Sequence, residues 1–130
     1  MRMIFVNLPV KDVEASKAFF ATLGFAFNPD FSDDSTACLI VEENIYVMLL
    51  AEERFRDFIT GDIADANQAT EVLTCLSADS RETIDEMVAK ALDAGGRPWK
   101  PVMDEHPGMY GHSFQDLDGH VWELMHMEQQ

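Results

Sequence analysis

Twice along this chain a short apolar strand runs into a capped amphipathic helix that ends at glycine, and three further strand-like segments follow. In the first copy, residues 4–10 alternate toward apolar side chains and lead to Asp12, whose carboxylate suits the free N–H groups at a helix start. Ala15, Phe19, Phe20 and Leu23 then recur at helical spacing until Gly24. Segments 25–27, 37–41 and 45–50 read as strands, the last two joined by a tight turn at Glu43-Asn44. In the second copy, 72–76 is the strand and Ser80 the cap. Ile84, Met87, Val88, Ala91 and Leu92 share one helix face, and Gly95-Gly96 ends it. Strands are predicted over 97–103, 112–116 and 120–127. The order is a tandem βαβββ repeat of about 60 residues per copy, the second helix about one turn longer.

One such copy leaves a sheet face uncovered and is marginal as an independent fold, so the 130 residues are expected to form one α+β domain. Module one spans about 1–51 and module two about 70–130. The intervening 52–69 places Phe55, Phe58 and Ile59 at helical spacing before a Gly-Asp-Ala-Asn-rich linker.

Charge narrows the partners. Nine basic residues against 24 acidic ones give a formal charge of −15, which repels phosphate backbones and anionic membranes, so neither nucleic acid nor membrane is expected as a partner. Such an acidic surface reads first as a plain solvated face, with attraction of a cationic small molecule as the alternative. The apolar stretches reach about half of the ~20 residues that a membrane helix needs, and the N-terminus carries no signal-peptide pattern, so the expected location is cytoplasmic. Cys38 and Cys75 are isolated thiols on apolar strands and read as small buried hydrophobes.

The C-terminal run from Gly111 to Leu124 reads as two strands joined by an Asp118-Gly119 turn, with Glu123 set among apolar residues. Such a carboxylate must hydrogen-bond, take up a proton or meet a ligand, which makes it the candidate acid–base group. Alternation puts Glu123 with Val121 and Met125, and His120, Trp122 and His126 on the opposite face. His112 and Phe114 on the preceding strand, and Tyr110 just before it, are candidate pocket residues, although core packing accounts for them as well. The segment 103–110, with Asp104-Glu105-His106-Pro107-Gly108, has loop chemistry suited either to covering a site or to a plain exposed connection. No Gly-rich phosphate loop, Cys-x-x-Cys pair, His-Glu-x-x-His helix or Gly-x-Ser-x-Gly elbow occurs, which removes nucleotide use and serine hydrolysis. An EF-hand register on Gly119 would put Phe114 and Met125 at ligand positions, so a calcium loop is excluded too.

Three stretches together resemble the vicinal oxygen chelate superfamily of glyoxalase I, fosfomycin-resistance, bleomycin-binding and extradiol dioxygenase proteins. They are Leu8-Pro9-Val10-Lys11-Asp12, Phe19-Phe20-Ala21-Thr22-Leu23-Gly24-Phe25, and Phe114-Gln115-Asp116-Leu117-Asp118-Gly119-His120 with Glu123. The resemblance implies a glyoxalase-like fold, tandem βαβββ modules whose sheets curl into open cups, and a homodimer. It also implies metal ligands on the first and last strands of each module. Glu123 falls on the last-strand position; its first-module counterpart, found by superposing the two turns, is Met48. The first-strand position, commonly histidine in metal-binding relatives, is Phe5, and its second-module counterpart is Glu71 or, one register on, Val72. Asn7 shares a side with Phe5 and is placed to orient a ligand.

Glu123 and Glu71 are therefore the candidate ligands for a divalent metal (Zn, Ni, Mn or Fe), in a site left incomplete by Phe5 and Met48. Two functions stay open. One is a lyase or dioxygenase-type enzyme with Glu123 moving a proton. The other is a metal-independent protein that sequesters an aromatic or cationic compound in an apolar cup formed around Phe5, Asn7, Met48, Tyr110, His112 and Phe114.

Overall fold

Both βαβββ copies are realised, each as its own four-stranded sheet. The computed structural model describes residues 1–104 and 107–128, and the chain divides into two compact units, Met1–Ala64 and Asp65–Gln130.

In the first unit β1 (Ile4–Val10) leads into α1 (Val13–Thr22), followed by β2 (Ala26–Phe27), β3 (Thr36–Glu42) and β4 (Ile45–Ala51). The Asp12 carboxylate accepts from the Ala15 amide at 3.0 Å, the N-cap its position implied. Sheet order is β1-β4-β3-β2, with β1 parallel to β4 and the hairpins antiparallel. Alternation separates two faces. Leu8, Val10, Ala37, Leu39, Val47 and Leu49 are buried on one, with Val13, Phe19, Phe20 and Leu23 of the helix region completing the core. Phe5, Asn7, Cys38, Tyr46, Met48 and Leu50 belong to the other. The helical spacing after Ala51 produces only the short α2 (Glu52–Arg56), which lies against β1 and β4.

The second unit repeats the plan with β5 (Leu73–Ser77), α3 (Arg81–Asp93), β6 (Arg97–Pro98), β7 (Met109–Gln115) and β8 (Val121–Met127), in sheet order β5-β8-β7-β6. Ser80 Oγ accepts from the Thr83 amide at 3.1 Å and caps α3. The strand expected over 97–103 stops at Pro98, because Pro98 and Pro101 offer no N–H to a ladder. Met103 regains the sheet through a lone bridge to Gly111. The end of the expected linker is ordered against this unit: Asp65 caps a turn by accepting from the Asn67 amide at 2.9 Å, and Asn67 Nδ2 donates to Asp118 O at 3.3 Å. Among the described residues no helix is long and apolar enough to cross a membrane.

Candidate functional site

Each sheet leaves one face uncovered by its long helix, and the residues on these faces define the candidate sites. In the first unit, Phe5 pairs with Tyr46 and Asn7 with Met48 across β1 and β4. The Phe5 and Tyr46 rings stack at 5.1 Å between centroids with 13° between planes. Phe5 is 44% exposed, so the stack is open rather than part of the core.

Beside it, a concavity of about 270 Å³ is lined by Asn7, Thr36, Met48 and Leu50 from the sheet, with Arg54 and Phe58 and the Asp30–Asp33 turn around its rim. Asn7 Nδ2 donates to its own strand at Phe5 O, 3.2 Å, leaving its carbonyl as the acceptor available to a guest. The Arg54 guanidinium stacks over Phe58 at 4.7 Å and pairs with Asp57 at 3.1 Å. Hydrogen bonds from the Ser35 amide and hydroxyl, aided by Arg54, hold Asp33 below the ordinary 3.8, so this rim keeps its negative charge. Phe5, Asn7 and Met48 thus share a face as expected. Arg54 and Phe58 are additional members, concealed in sequence because the segment after Ala51 reads as a linker, and Asp33 joins them from the connection between β2 and β3.

In the second unit the pairing register decides which side chains meet. Glu123 lies opposite Cys75 on β5 and Ser113 on β7, so these three share one face. Among the described residues the Glu123 carboxylate has no hydrogen bond or ion pair. Cys75, read from sequence as buried, is exposed: it sits on an edge strand, on the face that α3 does not cover. Burial in this part of the sheet and the neighbouring Glu123 charge push its thiol above the ordinary 9.0. A concavity of about 770 Å³ opens along the same strands, with Cys75, Ser77, Met125 and Met127 among its lining residues.

Tyr110, His112 and Phe114, the expected pocket residues, lie on the opposite face. They pair with His126, Leu124 and Trp122, and all six side chains belong to the α3 side. Tyr110 Oη donates to Asp85 Oδ1 on α3 at 2.5 Å, and His112 Nδ1 lies 3.4 Å from the same oxygen. Phe114 is 1% exposed, a core residue. Glu105 and His106, part of the expected covering loop, lie outside the described residues.

Glu71 is also relocated. Counting seven residues back from each helix cap gives Phe5 before Asp12 and Leu73 before Ser80, so the counterpart of Phe5 is Leu73, not Glu71 or Val72. Glu71 is exposed and precedes β5 altogether.

The ligand positions implied by the resemblance therefore hold Phe5, Met48, Leu73 and Glu123. One carboxylate, one thioether and two hydrocarbons do not fit a hard divalent ion in either unit. No group of three or more His, Cys, Asp and Glu side chains able to hold a metal occurs among the described residues.

Comparison with known proteins finds one partial family match and a set of similar folds. The model for the bleomycin resistance protein-like N-terminal family matches residues 2–41. No curated protein matches the chain. Solved structures match over nearly its whole length. A hypothetical protein from S. aureus is 28% identical, with TM-score 0.80, covering 96% of this chain and 93% of its own. A glyoxalase/bleomycin resistance protein/dioxygenase family enzyme from Burkholderia phytofirmans is 18% identical, with TM-score 0.77 and coverage of 96% and 98%. The fosfomycin resistance protein FosX from Listeria monocytogenes is 18% identical, with TM-score 0.69 and coverage of 96% and 92%.

Proposed function

We propose that this chain, whose fold is that of solved glyoxalase/bleomycin resistance-type proteins, belongs to the vicinal oxygen chelate superfamily and is a small-molecule-binding protein of the bleomycin-resistance type. In this reading it holds an aromatic or cationic guest without a metal and works as a homodimer. The observation that carries the reading is the Phe5–Tyr46 stack, an open aromatic platform at the position where metal-binding relatives commonly carry histidine. A planar guest extends such a stack, and a cationic one gains from the quadrupole of the rings and from the acidic rim at Asp30 and Asp33.

Calorimetric titration with bleomycin, fosfomycin and planar aromatic cations, in the presence and absence of EDTA, tests this. Saturable binding indifferent to EDTA, reduced by salt and weakened about tenfold by Phe5→Ala is expected. Binding that depends on an added divalent ion, or that ignores Phe5→Ala, counts against it.

A second reading, a lyase or dioxygenase-type enzyme, draws its support from Glu123. An unpartnered carboxylate on an open sheet face is positioned to exchange a proton with a bound substrate. Turnover of glutathione hemithioacetals or catechols that disappears in Glu123→Gln, with binding kept, would favour it over sequestration.

A further inference from the structure

The concavity beside the Phe5–Tyr46 stack commits most of its hydrogen-bond donors to the protein and keeps its acceptors open. Ser32 Oγ donates to Asn28 O at 2.6 Å, and the Thr36 side chain bonds to Asp33. Arg54 Nη1 donates to Asp57 Oδ2 at 3.1 Å while its guanidinium lies over Phe58. Asn7 is the reverse case: Phe5 O takes its Nδ2, so the atom it offers is Oδ1, which can only accept. Both Ser35 bonds to Asp33 fall on Oδ1, at 2.9 and 3.0 Å, and a carboxylate has lone pairs for further donors on its other oxygen. Among the described residues the Asp30 carboxylate has no hydrogen bond or ion pair.

Charge and ring surface point the same way. Arg54 is the one cation among the lining residues, set against Asp30 and Asp33 and already paired with Asp57. Phe31 and Phe58 on the rim are 60% and 63% exposed, so their rings are open to a guest. Phe5 and Asn7 share a face two residues apart, about 7 Å along the strand, so a ring lying on Phe5 brings a donor attached directly to it within reach of Asn7 Oδ1. The volume of about 270 Å³ lies below the roughly 300–1,000 Å³ of drug-sized sites and admits a small head group.

Given a guest held on the Phe5–Tyr46 platform, as proposed above, we propose that its head group is an amidinium or guanidinium borne on an aromatic ring, a planar cation with several N–H donors. These N–H groups donate to Asn7 Oδ1 and, in a charge-assisted bond, to the Asp33 carboxylate, while the ring lies against Phe5. A permanently alkylated cation satisfies the rings and the field equally well but leaves the acceptors it covers unpaired.

Benzamidinium and N-methylpyridinium, planar aromatic cations of equal charge with and without N–H groups, are the probes, titrated into isotope-labelled protein and followed by amide chemical shifts around Asn7 and Met48. Benzamidinium is expected to bind about tenfold tighter. Asn7→Ala is expected to erase that preference by weakening benzamidinium alone. Asp33→Asn, which keeps a carbonyl oxygen for the Ser35 bonds, weakens both cations by removing a charge. Asn7 is exposed, so unchanged melting of Asn7→Ala is expected and marks the variant as folded. Equal affinity for the two cations, or a preference that survives Asn7→Ala, overturns the amidinium assignment and leaves the guest-binding reading standing. Failure of both cations, with a larger aromatic guest still bound through Phe5, does the same; failure of all three overturns both.

Discussion

Tyr110 Oη donates to Asp85 Oδ1 at 2.5 Å, the contact that fastens β7 to α3. Around it, Arg81 stacks over the Tyr110 ring at 5.1 Å and reaches Asp104 and Glu128 at 3.3 Å and 3.4 Å. The hydrogen bond and the Asp85 charge push the phenol from 10.0 up to about 12. A raised folded value means that the stabilisation is complete below 10.0 and is lost as pH climbs toward about 12. Tyr110→Phe is expected to lower stability by about 1 kcal/mol at neutral pH, with the gap from the parent closing in alkaline buffer. Urea unfolding of both proteins at about pH 8 and about pH 11.5 measures it, and a pH-independent difference would contradict this assignment.

A second buried anchor holds the β7–β8 turn. Asp116 is 3% exposed and accepts from Trp122 Nε1, the Asp118 amide and the His120 amide at 3.0, 2.9 and 3.0 Å. Burial raises its carboxyl above 3.8, with His120 and the Trp122 bond acting against that rise. The sign is opposite to that of a surface-paired aspartate: the contribution is full below 3.8 and declines as pH rises through the raised folded value. Asp116→Asn is expected to cost about 1–3 kcal/mol in acid, because its amide cannot serve all three donors, and to cost less near neutrality. Denaturation of the two proteins at about pH 4 and about pH 7 shows whether the gap narrows.

Gly119, in the same turn, has φ +90°, and a Cβ there would run into the Asn67 side chain. That side chain donates to Asp118 O and accepts from Arg97. Gly119→Ala is expected to destabilise the protein by about 1–3 kcal/mol through backbone strain and loss of this brace. Gly61, with φ +84° and open space around it, isolates the backbone part of the cost when changed to alanine. A Gly119→Ala loss no greater than that of Gly61→Ala would remove the role assigned to Asn67.

The strand–helix order, both helix caps and the opposition of Trp122 to Glu123 are legible in the sequence because each depends on local spacing. What is not legible depends on pairing. Tyr110, His112 and Phe114 alternate correctly along β7, but only the β7–β8 register, with Ser113 opposite Glu123, decides which face they take. A one-residue slip reverses that face, and the turn length controls the slip. Glu71 fails for the same reason, since β5 begins at Leu73. Cys75 reads as a core residue until its strand is found to be the sheet edge. Arg54 and Phe58 belong to a segment whose helix stops after five residues, and it is tertiary placement, not periodicity, that brings them to the cavity.

Cys75 and Cys38 differ in accessibility and in electrostatics, and thiol labelling separates the two effects. Cys38 is 0% exposed, so a disulfide reagent is expected to reach it only on unfolding, whereas Cys75 reacts in the native protein. The reactive species is the thiolate, and both burial and the Glu123 charge oppose its formation at Cys75. Glu123→Gln removes the charge and keeps the shape, so Cys75 is expected to label roughly two- to fivefold faster at neutral pH. Two features identify the cause: the gain shrinks at high salt, where screening has already weakened the charge, and at pH values where both thiols are fully ionised. Equal labelling rates in the two proteins across pH would mean that Glu123 points away from Cys75. Its carboxylate would then not share the open surface that the register gives it, and the acid–base reading of Glu123 would fall as well.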